Sequence, residues 1–360
     1  MGFLNKIFGG GDAGINSYAD FWDWFSKNEA VFRRLVCSKD RVTIESQFFA
    51  RLAPQLNQVH EGILYLVGTL GETTAELVLT ADGDPKNIVF VEELVDASPQ
   101  IAGWQFTKLK QPTDSFKVSM GGLSFGTDTL SFYPHDDATM PDLVNVALFH
   151  EAFEDPHDDG AKNGAFIFLD NYLGELRFLT DIDDISFYGP SSAEKECIPL
   201  DALPNYLETR KSLFIEKYDG VRVFTENDSY SIMEAQLEGG RQLVATVNTD
   251  LMKWDKKASH PWILAIELAY KSPNGLPDDA TAARLNEIED AITSQLQDSD
   301  GYLKIGRQAT NNQRTIFYAC REFRTPSKVA FEASKKYKNL GYDIFKDKYW
   351  RSVRHFAPAD

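Results

Sequence analysis

A chain of 360 residues is long for one hydrophobic core, and 43% hydrophobic with 25% charged residues is the make-up of a folded globular protein, not a disordered or fibrous one. A formal charge of −17 and a pI near 4.8 repel polyanions at long range, so direct nucleic-acid binding is not expected. No apolar run approaches the ~20 residues that span a bilayer, and Cys37, Cys197 and Cys320 show neither metal spacing nor a disulfide ladder, which fits free thiols in a reducing cytoplasm.

The opening Met1–Gly11 lacks the apolar length and cleavage site of a signal peptide, and Lys6 stands where myristoylation wants Ser or Thr. Residues 1–16 read as a frayed end on a Gly hinge. Tyr18–Cys37 then reads as a helix whose Phe21, Trp22, Phe25, Phe32 and Leu35 form an aromatic stripe, and a second helix from Arg41 or Val42 to Leu56 packs Phe48, Phe49 and Leu52 on it. A helical hairpin on a sheet is the plain reading. Gly62–Leu70 and Thr74–Thr80 form a hairpin around Gly71–Glu72, Ile88–Ala97 is a short helix ended by Ser98 before Pro99, and Trp104–Lys110 is a strand. Phe116–Tyr133 adds up to three short strands.

Met140–Asp155 has the marks of a helix: Thr139 as N-cap, Pro141 in the first turn, Asp142 at the positive end, and a stripe of Leu143, Val146, Ala147 and Phe153. Ala165–Leu169, Glu175–Leu179 and Ile185–Tyr188 read as strands, Leu200–Tyr218 as a helix and Val221–Thr225 as a short strand. Beyond Ser229 come strands at Gln242–Asn248 and Pro261–Tyr270, a helix from Asp278, the strand pair Tyr302–Ala309 and Gln313–Arg321, a helix from Pro326 and a strand near Tyr342–Lys346. The fold class is therefore α+β, with antiparallel sheets carrying helices on one face. Two domains are expected, 17–218 and a ferredoxin-like ββαββαβ domain at 229–356, joined by 219–228, with a further break near 112–122 left open.

Four residues raise the question of a metal. His150, Glu154, His157 and Asp158 lie close in sequence, but Glu154 takes the place of the second His of a zinc-protease helix, so the motif is broken. Asp181, Asp183 and Asp184 form a second acidic group that reads as a polar strand rim. On the hairpin of the last domain, Arg307, Arg314 and Arg321 share strands with Tyr318, where they either recognise a carboxylate, phosphate or acidic peptide or balance helix carboxylates. His135–Asp159 carries eight acids and no Lys or Arg, whereas Lys328–Arg354 carries eight bases against three acids. These are two solvated faces, a docking edge for an acidic partner, or two halves of an intramolecular contact.

The strand Arg241–Asn248, Pro261-Trp262 opening the next strand, the helix Asn286–Leu296, Gly306-Arg307 with Thr310, and Ile316-Phe317-Tyr318 resemble domain-of-unknown-function family 695. That family is related in fold and by domain fusion to the bacterial regulator of ribonuclease E activity B. The resemblance covers the last third of the chain and implies a ferredoxin-like sandwich, a bacterial cytoplasmic setting and no assigned catalytic residues. A non-enzymatic, protein-binding or regulatory module with no cofactor is the preferred reading. A metal-dependent hydrolase or nuclease using His150, Glu154, His157 and Asp158 is the first alternative, and a small-ligand sensor with a pocket between the domains is the second.

Overall fold

A computed structural model describes residues 14–114, 116–153 and 159–357. The chain divides at Gln111–Pro112 into two compact units. The expectation for residues 1–13 lies outside the described residues.

In the first unit, α1 (Tyr18–Cys37) starts where the Ser17 hydroxyl accepts from the Asp20 amide at 3.1 Å. A continuous helical segment follows, α2 (Arg41–Thr43), a π turn (Ile44–Phe49) and α3 (Ala50–Val59). The sheet is β1 (Leu64–Leu70), β2 (Thr74–Thr80) and β3 (Trp104–Lys108), with α4 (Pro85–Asp96) crossing from β2 to its parallel neighbour β3. The aromatic stripe packs on that sheet, Phe25 edge-on to Trp104 at 5.0 Å and Trp22 against Phe106 at 4.5 Å. The indole of Trp22 donates to the Leu94 carbonyl at 2.7 Å, which ties α1 to α4.

The second unit holds two larger sheets. Its first part runs β4 (Val118–Met120), β5 (Leu123–Phe125), β6 (Leu130–Pro134), β7 (Asn145–His150), α5 (Asp159–Leu173), α6 (Glu175–Asp181), β8 (Asp184–Tyr188), β9 (Ile198–Pro199) and α7 (Leu203–Tyr218). The four-stranded sheet has the order β8-β7-β6-β9, with β7 and β8 parallel.

Three sequence readings are corrected here. Residues 145–150 form a central strand, not a helix, because every side chain from Val146 to His150 is buried. Burial on both faces erases the alternation that would have marked it. The supposed strand at 165–169 belongs to α5, whose Ala161, Ala165, Phe168, Leu169 and Tyr172 are buried at helical spacing while Ile167 points outward. The supposed strand at 175–179 is α6, set off from α5 by Gly174 at φ +81°.

The last part begins at 221–225, which is no strand. Its backbone is held by side chains instead, the Val221 carbonyl by Arg321 and the Thr225 amide by Asp298 at 2.7 Å. Then come β10 (Tyr230–Gln236), β11 (Gln242–Asn248), α8 (Thr249–Lys253), β12 (Trp262–Ala269), α9 (Asp279–Thr293), β13 (Tyr302–Thr310), β14 (Gln313–Cys320), α10 (Arg324–Lys336) and β15 (Leu340–Lys346). All neighbours in the six-stranded sheet β10-β11-β13-β14-β12-β15 are antiparallel. Taking β12, β13, β14 and β15 as strands one to four of a βαββαβ run, their spatial order is four-one-three-two. The strand β10 was not anticipated, because Tyr-Ser-Ile-Met-Glu-Ala-Gln offers little alternation and is exposed almost throughout.

Helix α9 lies on the face that carries Lys304, Arg307 and Arg314. The opposite face is covered as well: Leu251 and Met252 of α8, and Trp350, Val353 and Phe356 of a 3-10 turn and its cap, pack on Val247, Ile263, Leu303 and Ile305. Gly306 stands where β13 shifts register, and a Cβ there would lie 2.5 Å from the Thr246 carbonyl oxygen. No helix among the described residues is long and apolar enough to cross a membrane.

Candidate functional site

Within the second unit, α7 and the end of β15 face each other across a cleft of about 310 Å³, at the lower end of the range for small-molecule sites. Leu203 and Leu207 bury the first turns of α7. Beyond them Leu213 and Phe214 line the cleft opposite Val144, Pro261 and Trp262. These five form its apolar walls. Five cations, Arg210, Lys211 and Lys217 from α7 and Lys346 and Lys348 from the far side, form its rim and floor.

The floor is a buried ion-pair network. Asp183 receives Lys346 at 2.8 Å, Lys348 at 2.7 Å and the Val144 amide at 2.7 Å. Burial alone would raise its carboxyl, but the two ammonium groups outweigh that and hold it below the usual carboxylate range. Burial pushes Lys346 down to about 8, with Asp183 opposing the shift and Lys348 adding to it. Lys346 also donates to the carbonyls of Thr180 at 2.6 Å and Ile182 at 3.1 Å. Asp142 is the second hub, accepting from Lys217 at 2.7 Å, Tyr349 at 2.7 Å and Tyr218 at 2.9 Å, while its own carbonyl receives Lys348 at 2.8 Å. Burial would raise this carboxyl too, and Lys217 with the two phenols brings it below the ordinary value. Burial first, then Asp142, raises both phenols, Tyr349 to about 12.

The charges around the cleft do not balance. Arg210 is held by Asp136 at 3.1 Å and by the carbonyls of Pro141 and Leu143. Asp181 accepts from Arg177 at 3.2 Å and from the Thr180 hydroxyl at 2.9 Å, so Lys211, 3.5 Å from it and half exposed, shares a carboxylate already engaged. Counting Arg177, Arg210, Lys211, Lys217, Lys346 and Lys348 against Asp136, Asp142, Asp181, Asp183 and Glu208, one positive charge is left over. By contact it falls to Lys346 and Lys348, which share Asp183, because Arg177 has Glu208 besides Asp181; Lys211 is half-exposed and stands beside the apolar wall.

Of the residues singled out in the sequence, Asp181 and Asp183 fall in this cleft, Asp181 ending α6 and Asp183 buried instead of lying on a strand rim, and the others fall elsewhere. His150 ends β7, not a helix. Its Nε2 lies 3.1 Å from the Ser124 carbonyl and its Nδ1 accepts from the Ala152 amide at 3.1 Å, so both ring nitrogens are engaged. Glu154, His157 and Asp158 lie outside the described residues, and no group of three or more His, Cys, Asp or Glu side chains that could hold a metal occurs among the described ones. Asp181 and Asp183 are neutralised by basic side chains. Arg307 and Arg314 do meet, on the Glu289 carboxylate at 2.9 and 3.3 Å and on the Asn286 amide oxygen at 3.1 and 2.8 Å. Burial would raise Glu289, but Lys304 and Arg307 hold it below the usual range. Tyr318 is buried with its hydroxyl 2.7 Å from that of Thr293, and Arg321 is turned to the Val221 carbonyl.

The cleft was not foreseen. Its signals were the acidic group at 181–184 and the opposition between the acidic segment 135–159 and the basic run 328–354, and Asp142 with Lys348 and Tyr349 makes the latter contact inside the molecule.

Residues 235–356 match the family described as Family of unknown function (DUF695), so the resemblance read from the strand, helix and hairpin residues holds over the last third of the chain. No curated protein and no solved structure matches the chain. The matched stretch supplies Pro261, Trp262, Lys346 and Lys348 to the cleft, whereas α7 and Asp142 come from outside it.

Proposed function

From a chain whose last third is similar to that family of unknown function, we propose a regulatory binding protein whose cleft takes a small organic monoanion with an apolar body. The observation that carries this is the net positive charge of the cleft's ion pairs, with half-exposed Lys211 at the edge of a wall made by Leu213, Phe214 and Trp262. A carboxylate or sulfonate head would complete the charge balance there, and its hydrocarbon body would leave water for the apolar wall. The residues lining the floor are committed to each other in ion pairs, which suits recognition more than bond-making. The four-one-three-two strand order supports reading 229–356 as a ferredoxin-like domain. On this reading the ligand bridges that domain and the preceding α7, so that binding stiffens their joint. A reducing cytoplasm fits the three free cysteines.

The test is a titration with anilinonaphthalene sulfonate, an aromatic monoanion whose fluorescence rises in apolar sites. One saturating phase that octanoate displaces is expected. Lys211→Glu should weaken it by roughly tenfold or more, while Lys211→Arg retains it. Equal affinity in Lys211→Glu and the parent sinks the proposal.

A further inference from the structure

The strand β10 is the outer strand of the six-stranded sheet, and its hydrogen-bond phase can be read from its two ends. Leu237 donates to the Arg241 carbonyl at 2.7 Å, and the Thr249 amide donates to the Ser229 carbonyl at 2.9 Å. In an antiparallel pair the residues that exchange such bonds alternate with residues that turn both groups away. With the register Tyr230↔Asn248 through Gln236↔Gln242, the odd-numbered residues therefore bond to β11. Tyr230, Ile232, Glu234 and Gln236 present their N–H and C=O groups outward, with no strand beside them among the described residues.

Edges of this kind are normally blunted by lysines, prolines, bulges or a covering loop. Here the side chains do the reverse. Ile232 is 73% and Tyr230 48% exposed, and Phe224 just ahead is 63% exposed. The surroundings also carry a sign. From 222 to 250 there are five acids, Glu226, Asp228, Glu234, Glu238 and Asp250, against Arg222 and Arg241. A second copy of this chain brings the same five carboxylates and repels itself, so the charge selects a different occupant.

We propose that β10 is a docking edge that receives an extended segment of a basic partner protein as an added antiparallel strand. The backbone of Tyr230, Ile232, Glu234 and Gln236 supplies the ladder, Ile232 and Tyr230 meet apolar side chains at alternate positions, and lysines or arginines of the segment meet the acidic flank. This surface is separate from the cleft at α7, and it stands or falls independently of the ligand proposed there.

The probe is a fluorescent octapeptide alternating lysine and valine, with one alternating glutamate and valine as its counterpart, titrated into the full chain by anisotropy. The lysine peptide should bind saturably and weaken as salt rises, and the glutamate peptide should not bind. Ile232→Pro removes an N–H that bonds nothing among the described residues, so the sheet stays intact while binding falls by roughly tenfold or more. Should that variant misfold, Glu234→Lys with Glu238→Lys keeps the backbone and should shift preference from the lysine peptide towards the glutamate one. Undiminished binding by a folded Ile232→Pro variant, no binding of the lysine peptide, or equal binding of both peptides overturns the proposal. A self-association that Ile232→Pro abolishes would assign the edge to a second copy and overturn it equally.

Discussion

Asp183→Asn should weaken the second unit severely, and the size of the effect follows from the floor of the cleft. In the parent the Asp183 side chain is 7% exposed and lies between Lys346 and Lys348, themselves 11% and 7% exposed. Asparagine keeps the shape and an acceptor for the Val144 amide but removes the only charge between two ammonium groups. Breaking a buried pair in this way costs about 3–5 kcal/mol. The low end applies near neutral pH, because Lys346 is already pushed down to about 8 by burial. Without the carboxylate it can shed its proton, and each unit its pKa falls towards the medium costs about 1.4 kcal/mol and no more once it lies below. A loss near 3 kcal/mol corresponds to a melting temperature lower by about 6–12 °C for a unit of this size. Urea denaturation followed by tryptophan fluorescence reads the loss at pH 7 and again at pH 10. The deficit should narrow at pH 10, above the value of about 8 to which Lys346 is pushed, because there the parent gives up the Lys346–Asp183 ion pair as well. A loss under about 1 kcal/mol at pH 7, or a deficit identical at both pH values, refutes the reasoning.

His260 offers a pH prediction of its own. Burial, reinforced by Arg321 and Arg222, pushes its imidazole down to about 3. An unfolded histidine takes a proton near 6.5, so the unfolded state holds the extra proton below that pH and stability falls by about 1.4 kcal/mol per pH unit towards acid, with no contribution above it. Its ring proton resonances should stay unmoved between about pH 8 and 5, and a midpoint near 6 would contradict the burial. Gly306→Ala forces β11 and β13 apart, because the new methyl meets the Thr246 carbonyl oxygen at 2.5 Å and the Val247 Cα at 3.0 Å. A cost of about 1–3 kcal/mol is expected in chemical denaturation, and a variant as stable as the parent would show that the strands have room to give.

Much of the six-stranded sheet and its helices was legible because these elements obey local rules. Asp278 caps α9, accepting from the Thr281 amide at 2.8 Å, and Asn311–Asn312 turns the β13–β14 hairpin with both residues at positive φ. Local rules failed where tertiary burial overrode them. Ala147 and Phe149 are as deeply buried as Val146 and Leu148, so β7 shows no period, and the Phe-Ile-Phe run of α5 carries strand propensity into a helix. The cleft was illegible for a different reason. Asp142, Asp183 and Lys348 are separated by up to 206 positions and meet only where the segment after β15 touches those preceding β7 and β8. Charge blocks in the sequence indicated that such a meeting was conceivable, but not which side chains would make it.

The 3-10 turn at 351–356 and the tryptophan before it have a bearing on how the chain acquires its shape. Trp350, whose indole donates to the His260 carbonyl at 3.0 Å, joins Val353 and Phe356 in shielding strands made up to a hundred residues earlier. A nascent chain that has emerged only as far as Lys346 can pair every strand, yet it shows a hydrocarbon face that only α8 partly covers to the crowded exit of the ribosome. Protection against premature clumping is therefore completed by residues 350–356, and a nascent chain stalled short of them is the form a chaperone would have to guard.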